Sequence, residues 1–209
     1  MSSVAPSTAL VLSVAWYFVV IGHSATPGSA GGFDVILENA SNSTQGVSVG
    51  GFNIDILLAN TDVVTLTGID ANTASTYIFA STGSFGFQGD VLGGGIEVTG
   101  NDLALPPANG VTLTPGQSFG VAHVSYQVAA NAVGGTVPVP LVGIGSGTAL
   151  SDETGGSIAD FSTRTGTITI LAAVPEPSSI LLFAVGLAVI LLSIRRMQTS
   201  RLVVFSRGH

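Results

Sequence analysis

Between residues 33 and 171, apolar side chains recur at every second position in short runs that Gly, Asn, Asp and Pro interrupt. In the clearest run, residues 49–58, the even positions from 52 to 58 are apolar, and positions 53 and 55 are Asn and Asp. Strict alternation is the period of a β-strand that buries one face. No helical period persists through this region, so the chain is constrained to a fold built from strands.

Further alternating runs predict about eight strands, over residues 33–37, 49–58, 63–69, 77–80, 95–99, 120–129, 137–142 and 166–171. In the sixth of these, Val124 and Tyr126 fall on the inward side with Ala122 and Val128, while Val121 and His123 fall outward. Residues 114–117, Thr-Pro-Gly-Gln, predict a type II turn. Short strands at this spacing predict an all-β fold, a two-sheet antiparallel sandwich over residues 31–171.

Charge and cysteine content exclude several functions. Eleven of the twelve acidic residues lie between residues 26 and 175, where Arg164 is the one base, and lysine is absent from the chain. A body with this charge lacks the basic surface on which nucleic-acid binding depends, and an anionic membrane surface would repel it. Because there is no cysteine, disulfides and thiolate chemistry are excluded, and an apolar core must supply the stability.

The N-terminal residues contain an apolar run. Residues 9–21 are uncharged and have the length of a signal-peptide core, and cleavage after Ser24 or Ala30 is plausible. The first eight residues carry no Lys or Arg, so an uncleaved atypical anchor or an incorrect start stays open. We expect residues 1–30 to be a signal peptide or anchor.

A three-part pattern closes the chain. Val174-Pro175-Glu176-Pro177 precedes an uncharged run, residues 178–194, that ends at Arg195 and Arg196. Its 17 residues reach the lower limit for a membrane-spanning helix, about 17–25 residues. The arginines should hold their end in the cytoplasm. We expect a linker with a sorting motif at residues 172–179, a transmembrane helix at 180–194 and a basic cytoplasmic tail at 195–209; a plain anchor with a Pro-rich hinge is the alternative.

The order of these parts resembles the PEP-CTERM sorting signal of bacterial exported proteins, a signal also labelled an ice-binding protein C-terminal domain. The resemblance implies recognition by exosortase, a membrane protease-transpeptidase. It places the body outside the cytoplasm, anchored in the membrane or released to the cell surface or extracellular matrix after processing. The thirteen residues after Arg196 depart from the family pattern, in which the chain usually ends within a few residues of the arginines.

The body also has a family resemblance. The sequence Phe-Asp-Val-Ile-Leu at residues 33–37, the run at 51–56 and the run at 63–69 together resemble the opening of a cohesin sandwich. Cohesins commonly bind dockerin modules, but this sequence contains no diagnostic binding residue to carry over. The resemblance therefore implies a fold rather than a ligand.

Few residues suggest catalysis or metal binding. His123 lies at an outward strand position with no triad partner suggested nearby in the sequence. Asp152, Glu153 and Asp160 could offer oxygen ligands to Ca²⁺, but their spacing differs from that of a calcium loop, and a solvated acidic loop is the simpler interpretation. We therefore predict no enzyme activity, no cofactor and no metal site.

Aromatic residues cluster between residues 77 and 87: Tyr77, Phe79, Phe85 and Phe87. We interpret them first as core and loop packing, with stacking on sugar rings as the alternative. The expected function is structural or adhesive, in an envelope or biofilm matrix linked to exopolysaccharide or another envelope protein. The alternatives are a surface-anchored carbohydrate- or protein-binding module and a secreted hydrolase.

Overall fold

A computed structural model describes residues 16–20, 22–41, 43, 45–106, 110–143 and 147–172, together with helical residues 183, 185–187, 189 and 190. The chain divides into two compact units, Met1–Ala172 and Ala173–His209. The first unit contains all the described strands. These are β1 Trp16–Val20, β2 His23–Ala25, β3 Ala30–Asn39, β4 Val47–Val49, β5 Gly51–Leu57, β6 Val64–Asp70, β7 Gln88–Leu92, β8 Glu97–Leu103, β9 Val111–Leu113, β10 Ser118–Val128, β11 Gly135–Val139, β12 Ala149–Ser151, β13 Ser157–Ile158, β14 Phe161–Arg164 and β15 Gly166–Ile170.

Two five-stranded sheets form the body, with the orders β14-β1-β3-β10-β6 and β13-β12-β5-β8-β7. A three-stranded sheet, β11-β15-β2, and the pair β4-β9 complete it. Side chains from both large sheets, among them Phe33 and Leu37 of β3 and Ile54 and Ile56 of β5, share one apolar cluster. The predicted all-β sandwich is therefore confirmed, and its core lies between the two sheets.

The alternation predicted from the sequence holds where the strands are regular. In β5, Phe52, Ile54 and Ile56 are buried, while Asn53 and Asp55 are partly exposed. In β10 the prediction for Val121 is wrong, because this residue is fully buried. The pairing register with β3 shifts between Gly120 and Ala122, so Val121 is the extra residue of a β-bulge. A bulge adds one residue and reverses the alternation at that point.

Two further expectations need correction. Residues 77–80 form a turn rather than a strand: the Ala80 N–H donates to the Tyr77 carbonyl, and the Gly83 N–H donates to the Phe79 carbonyl. The sandwich is also not wholly antiparallel, because β1 pairs with β14, and β2 with β15, in parallel. The predicted turn at residues 114–117 is present, with Gly116 at a φ of 80° and the Gln117 N–H bonded to the Thr114 carbonyl.

The first two strands lie in the segment that the sequence assigned to a signal peptide or anchor. β1 is an interior strand between β14 and β3, and Phe18 within it is fully buried. The apolar run that suggested a signal peptide is thus partly an apolar strand, which periodicity alone does not distinguish. Residues 1–15 lie outside the described residues. Cleavage after Ser24 or Ala30 stays a prediction, and it would remove β1 from the body.

Contacts on both faces hold β1 in place. The Phe18 and Phe161 rings meet edge to face, with centroids 5.7 Å apart. On the outer side, Arg164 lies 3.6 Å from the centre of the Tyr17 ring, and the Tyr17 hydroxyl donates to Glu38 over 2.6 Å. Burial and a cation–π contact of this kind each stabilise the strand in the sheet.

Little of the C-terminal unit is described. Val174, Pro175, Glu176, Pro177, Arg195 and Arg196 all lie outside the described residues, as does most of the predicted transmembrane helix at 180–194. Among the residues that are described, no helix is both long enough and apolar enough to cross a membrane.

The buried position of β1 generates a stability prediction. A chain of residues 16–172 should unfold cooperatively. A chain of residues 31–172 should show no cooperative unfolding, because it lacks the interior strand β1. In the full chain, Phe18→Ala should lower the free energy of unfolding by about 3–5 kcal/mol, the usual cost of removing a buried ring. Urea denaturation followed by circular dichroism measures both effects.

The matched control is Phe85→Ala, because Phe85 is 68% exposed. We expect this change to stay within about 0.5 kcal/mol of the unmodified protein. Cooperative unfolding of residues 31–172 with unchanged stability would show that β1 is dispensable.

Candidate interaction surface

The outer surface of the sheet β13-β12-β5-β8-β7 is the candidate site. Alternation and register place one set of side chains on it. We call this set the β5–β8 face, and its members are Asn53, Asp55 and Leu57 of β5, Gln88, Asp90 and Leu92 of β7, Glu97, Thr99, Asn101 and Leu103 of β8, and Ala149 and Ser151 of β12.

Large apolar side chains are exposed on this face. Leu57, Leu92 and Leu103 are 43%, 38% and 54% exposed. Glu97 pairs with both Leu57 and Leu92, so these three side chains form one row across the sheet. At the other end of β8, the N–H of the exposed Phe85 donates to the Leu103 carbonyl over 3.0 Å. Exposed apolar side chains grouped with polar ones are typical of interaction sites.

Two carboxyl groups, those of Asp55 and Glu97, lie close together near the row of Leu57 and Leu92. Burial and the nearby negative charge of Glu97 raise the pKa of Asp55 to about 6. The Oδ1 atom of Asp55 is shielded from solvent and has no hydrogen-bond partner among the described residues. Asp90 adds a third carboxyl group on β7, and the members of the face include no Lys or Arg. The centre of the face therefore attracts a positively charged group from outside the domain.

A shallow hollow of about 300 Å³ opens at the end of the face that carries Leu103. Leu103, Gly51 and Ala149 are among the residues that line it. A Cβ atom on Gly51 would lie 2.3 Å from Cδ2 of Leu103, so Leu103 rests directly on the glycine backbone. The hollow has room for one side chain of a bound protein.

A buried hydrogen bond fixes the end of β8. The Tyr77 hydroxyl donates to Oδ2 of Asp102 over 2.6 Å, and Asp102 is 2% exposed. Burial, followed by the bond to Asp102, raises the pKa of Tyr77 far above its ordinary value, so the hydroxyl keeps its proton. The bond connects the turn at residues 77–80 to the strand that carries Leu103.

The side chain of His123, a candidate catalytic residue in the sequence analysis, contacts Asp34, which the sequence did not suggest as its partner. Its Nδ1 atom lies 2.7 Å from Oδ1 of Asp34, and the Ala74 N–H donates to Oδ2 of Asp34 over 2.7 Å. These residues, with Thr73, line a depression of about 490 Å³ on the opposite sheet. The Thr73 hydroxyl donates to the Ser75 carbonyl, so it is not positioned as a nucleophile toward His123. The arrangement connects the loop at residues 71–76 to the sheet.

Two of the acidic residues that the sequence analysis considered as calcium ligands accept hydrogen bonds: Asp152 from its own loop and Glu153 from β4. Oδ1 of Asp152 accepts hydrogen bonds from the Thr154 hydroxyl, the Thr154 N–H and the Gly156 N–H. The bonds from Thr154 and Gly156 lower the pKa of Asp152. The Ser48 hydroxyl donates to Glu153. The described part of the chain holds no group of three or more His, Asp or Glu residues placed to bind a metal.

Three of the four clustered aromatic residues are packed rather than exposed. Phe79 stacks on Phe52 at 5.9 Å, and Tyr77 and Phe87 also contact the Phe52 ring. Phe85 is the exception. Packing therefore explains most of this cluster, and a sugar-stacking surface would rest on Phe85 alone.

Comparison with known proteins identifies a motif in the C-terminal segment and structural relatives of the body. Residues 173–196 match the PEP-CTERM protein-sorting motif, as the sequence predicted. This motif indicates an exported, membrane-anchored protein. No curated protein sequence matches the chain significantly.

The body is similar in structure to cohesin domains. A cohesin from Clostridium acetobutylicum has a TM-score of 0.55 and 17% identity, covering 78% of this chain and 95% of that chain. A type I cohesin–dockerin complex from Clostridium thermocellum has a TM-score of 0.54 and 11% identity, covering 78% and 98%. A non-cellulosomal cohesin from Archaeoglobus fulgidus has a TM-score of 0.51 and 18% identity, covering 77% and 92%. The predicted cohesin-like fold is confirmed.

The pKa of Asp55 generates a prediction about pH. Since this pKa is raised on folding, the folded protein holds the Asp55 proton more tightly than the unfolded chain does. Ionisation of Asp55 therefore lowers the free energy of unfolding progressively between about pH 4 and pH 6. Above that range the loss is constant. Asp55→Asn should stabilise the protein at pH 7 by about 1 kcal/mol, after allowance for solvent screening, with no gain at pH 4.

Urea denaturation at a series of pH values measures this difference. Asp90→Asn is the matched control, because it removes the same charge from an exposed position of the same face. A gain for Asp55→Asn that is equal at pH 4 and pH 7 would contradict the prediction.

Proposed function

We propose that this protein is an exported protein-binding module of the cell envelope, and that its β5–β8 face binds the partner. The observation that carries the proposal is the grouping of Leu57, Leu92 and Leu103 around an acidic centre on this face. The cohesin-like fold supports it, because one structure of that fold is a cohesin–dockerin complex. This support is an analogy between folds.

The chemistry of the face defines the kind of partner. Apolar side chains of the partner would cover the leucines, and a Lys or Arg side chain would approach Asp55 and Glu97. Burial of apolar area would supply most of the affinity, while charge complementarity would favour a basic partner and speed its association. A second copy of this acidic chain is a poor partner because like charges would meet.

The C-terminal segment has a separate role in the proposal. An exosortase-type enzyme would recognise Val174, Pro175, Glu176 and Pro177, since proline prevents helix formation and keeps this stretch extended for a protease. Residues 180–194 would cross the bilayer, with Arg195 and Arg196 on the cytoplasmic side. The body would then lie outside the cytoplasm.

The remaining expectations have less support. A carbohydrate-binding surface would depend on Phe85, and a secreted hydrolase would need acidic residues as its catalytic groups. A structural or adhesive role in a matrix linked to exopolysaccharide stays a prediction that is compatible with protein binding. We therefore continue to expect no enzyme activity.

Site-specific photo-crosslinking tests the binding face. A photoreactive amino acid at Leu92 or Leu103 of the full chain, in the producing bacterium, should give a discrete adduct with another protein. The same group at Thr67, an exposed position of β6 in the opposite sheet, is the matched control. Leu57→Asn should strongly reduce the adduct formed from position 92, because it removes apolar area from the same row without changing the charge of the face.

Equal adducts from positions 92 and 67 would overturn the choice of face. Absence of any adduct from positions 92 and 103 would overturn protein binding through it.

Replacement of Pro175, Glu176 and Pro177 by alanine tests the sorting role. We expect the variant to stay full length and membrane-bound in a host with an exosortase, while the unmodified chain is shortened near Pro177. Intact mass spectrometry of membrane and extracellular fractions measures this. Identical full-length masses for the two chains would mean that the segment is an ordinary anchor.

A further inference from the structure

One end of the sandwich is apolar and nearly free of charge. The chain leaves the body there, and we call it the exit end: residues 26–29, 129–134 and 171–172. Backbone hydrogen bonds join these segments. The Gly28 N–H donates to the Ala129 carbonyl, and the Leu171 N–H donates to the Ala25 carbonyl over 2.8 Å.

Two of the body's exposed large apolar side chains lie at the exit end. Val133 is 83% exposed and Leu171 is 48% exposed. A Cβ atom on Gly134 would lie 3.1 Å from Cα of Ala172, so the loop containing Val133 packs against the residue after Leu171. Around them, Ala130, Asn131 and Ala172 are exposed and uncharged.

The distribution of charge in the sequence separates this end from the rest of the body. Residues 24–33, 124–151 and 165–175 contain no Asp, Glu, Lys or Arg, although the body as a whole is strongly acidic. One acidic residue, Asp62, lies close to the exit end. Its neighbour in the chain, Val63, accepts a hydrogen bond from the Ala129 N–H. Single exposed apolar residues are ordinary on protein surfaces. At the exit end, however, they occur in segments that contain no charged residue.

We propose that the exit end is a membrane-contacting surface, on which Val133 and Leu171 enter the interfacial region of a lipid bilayer. The sorting motif that indicates membrane anchoring begins at residue 173, directly after this end. An anionic lipid surface repels carboxylates and accepts apolar side chains at its boundary. The exit end is therefore the part of the body that can approach such a surface without bringing many acids to it.

The orientation has a consequence for the binding face. With the exit end on the lipid, the sheets stand away from the bilayer, and the β5–β8 face opens sideways. The proposal does not depend on that face binding a protein, and the two can fail independently.

Because the chain has no cysteine, single-cysteine labelling gives a direct test. An environment-sensitive fluorophore is attached at Val133→Cys in the full chain, which is reconstituted in vesicles of phosphatidylcholine and phosphatidylglycerol. We expect a blue shift of its emission and quenching by lipids that carry a spin label near the headgroup. The matched control is Ser41→Cys, exposed at the opposite end of the strands. Since β10 has 11 residues, the control lies about 30 Å away, and its emission should stay that of an aqueous site.

A second pair of variants separates surface contact from simple tethering. With the label at Ala130→Cys, addition of Val133→Asp and Leu171→Asp should abolish the blue shift while the protein still floats with the vesicles. Aqueous emission at position 133 in vesicle-bound protein would overturn the proposal, and so would equal blue shifts at positions 133 and 41. Failure of the full chain to associate with the vesicles would also overturn it.

Discussion

The body depends on the pairing of its first strands with its last ones. β1 lies beside β14, and β2 beside β15, so the two ends of the domain hold each other in register. The segment β1–β2 and the segment β14–β15 each pass from the sheet β14-β1-β3-β10-β6 to the sheet β11-β15-β2. The two segments lie close together where they leave the first sheet for the second, because a Cβ on Gly166 would lie 2.4 Å from Cβ of Val20.

Charge is distributed so that the two surfaces differ in chemistry. The one base of the body, Arg164, lies on the Tyr17 ring and is not part of the β5–β8 face. The carboxyl groups of that face therefore lack a counter-charge within it, while the exit end lacks carboxyl groups almost entirely. A single domain thus offers one surface suited to a basic protein and another suited to lipid. The acidic net charge of the chain predicts neither surface, because it averages over both.

Much of the fold follows from the sequence, because alternation reports burial directly. Ile54 and Ile56 were placed correctly in the core for this reason, and the Pro-Gly turn before β10 was identified from the φ angles that those residues favour. Several features were not predicted. Residues 16–25 have the apolar character of both a strand and a signal peptide, and the bulge at Val121 leaves no mark in the pattern. The contact between His123 and Asp34 joins residues 89 positions apart, which only the pairing of β3 with β10 reveals. The β5–β8 face was not predicted, because it depends on the pairing of β8 with β5 and β7, which the sequence does not show.

The parallel first and last strands also determine how the domain responds to a pulling force. Because they run in the same direction, the chain enters the body at one end, where Trp16 pairs with Phe161, and leaves it at the other. A partner held on the β5–β8 face would pull against the anchored C-terminus along the length of β15. That strand is paired with β11 over five residues and with β2 over three. Tension along β15 would load these hydrogen bonds in shear, all at once, instead of opening them one after another. With a partner bound as proposed, the domain would transmit a mechanical load between that partner and the cell surface without unravelling from its end.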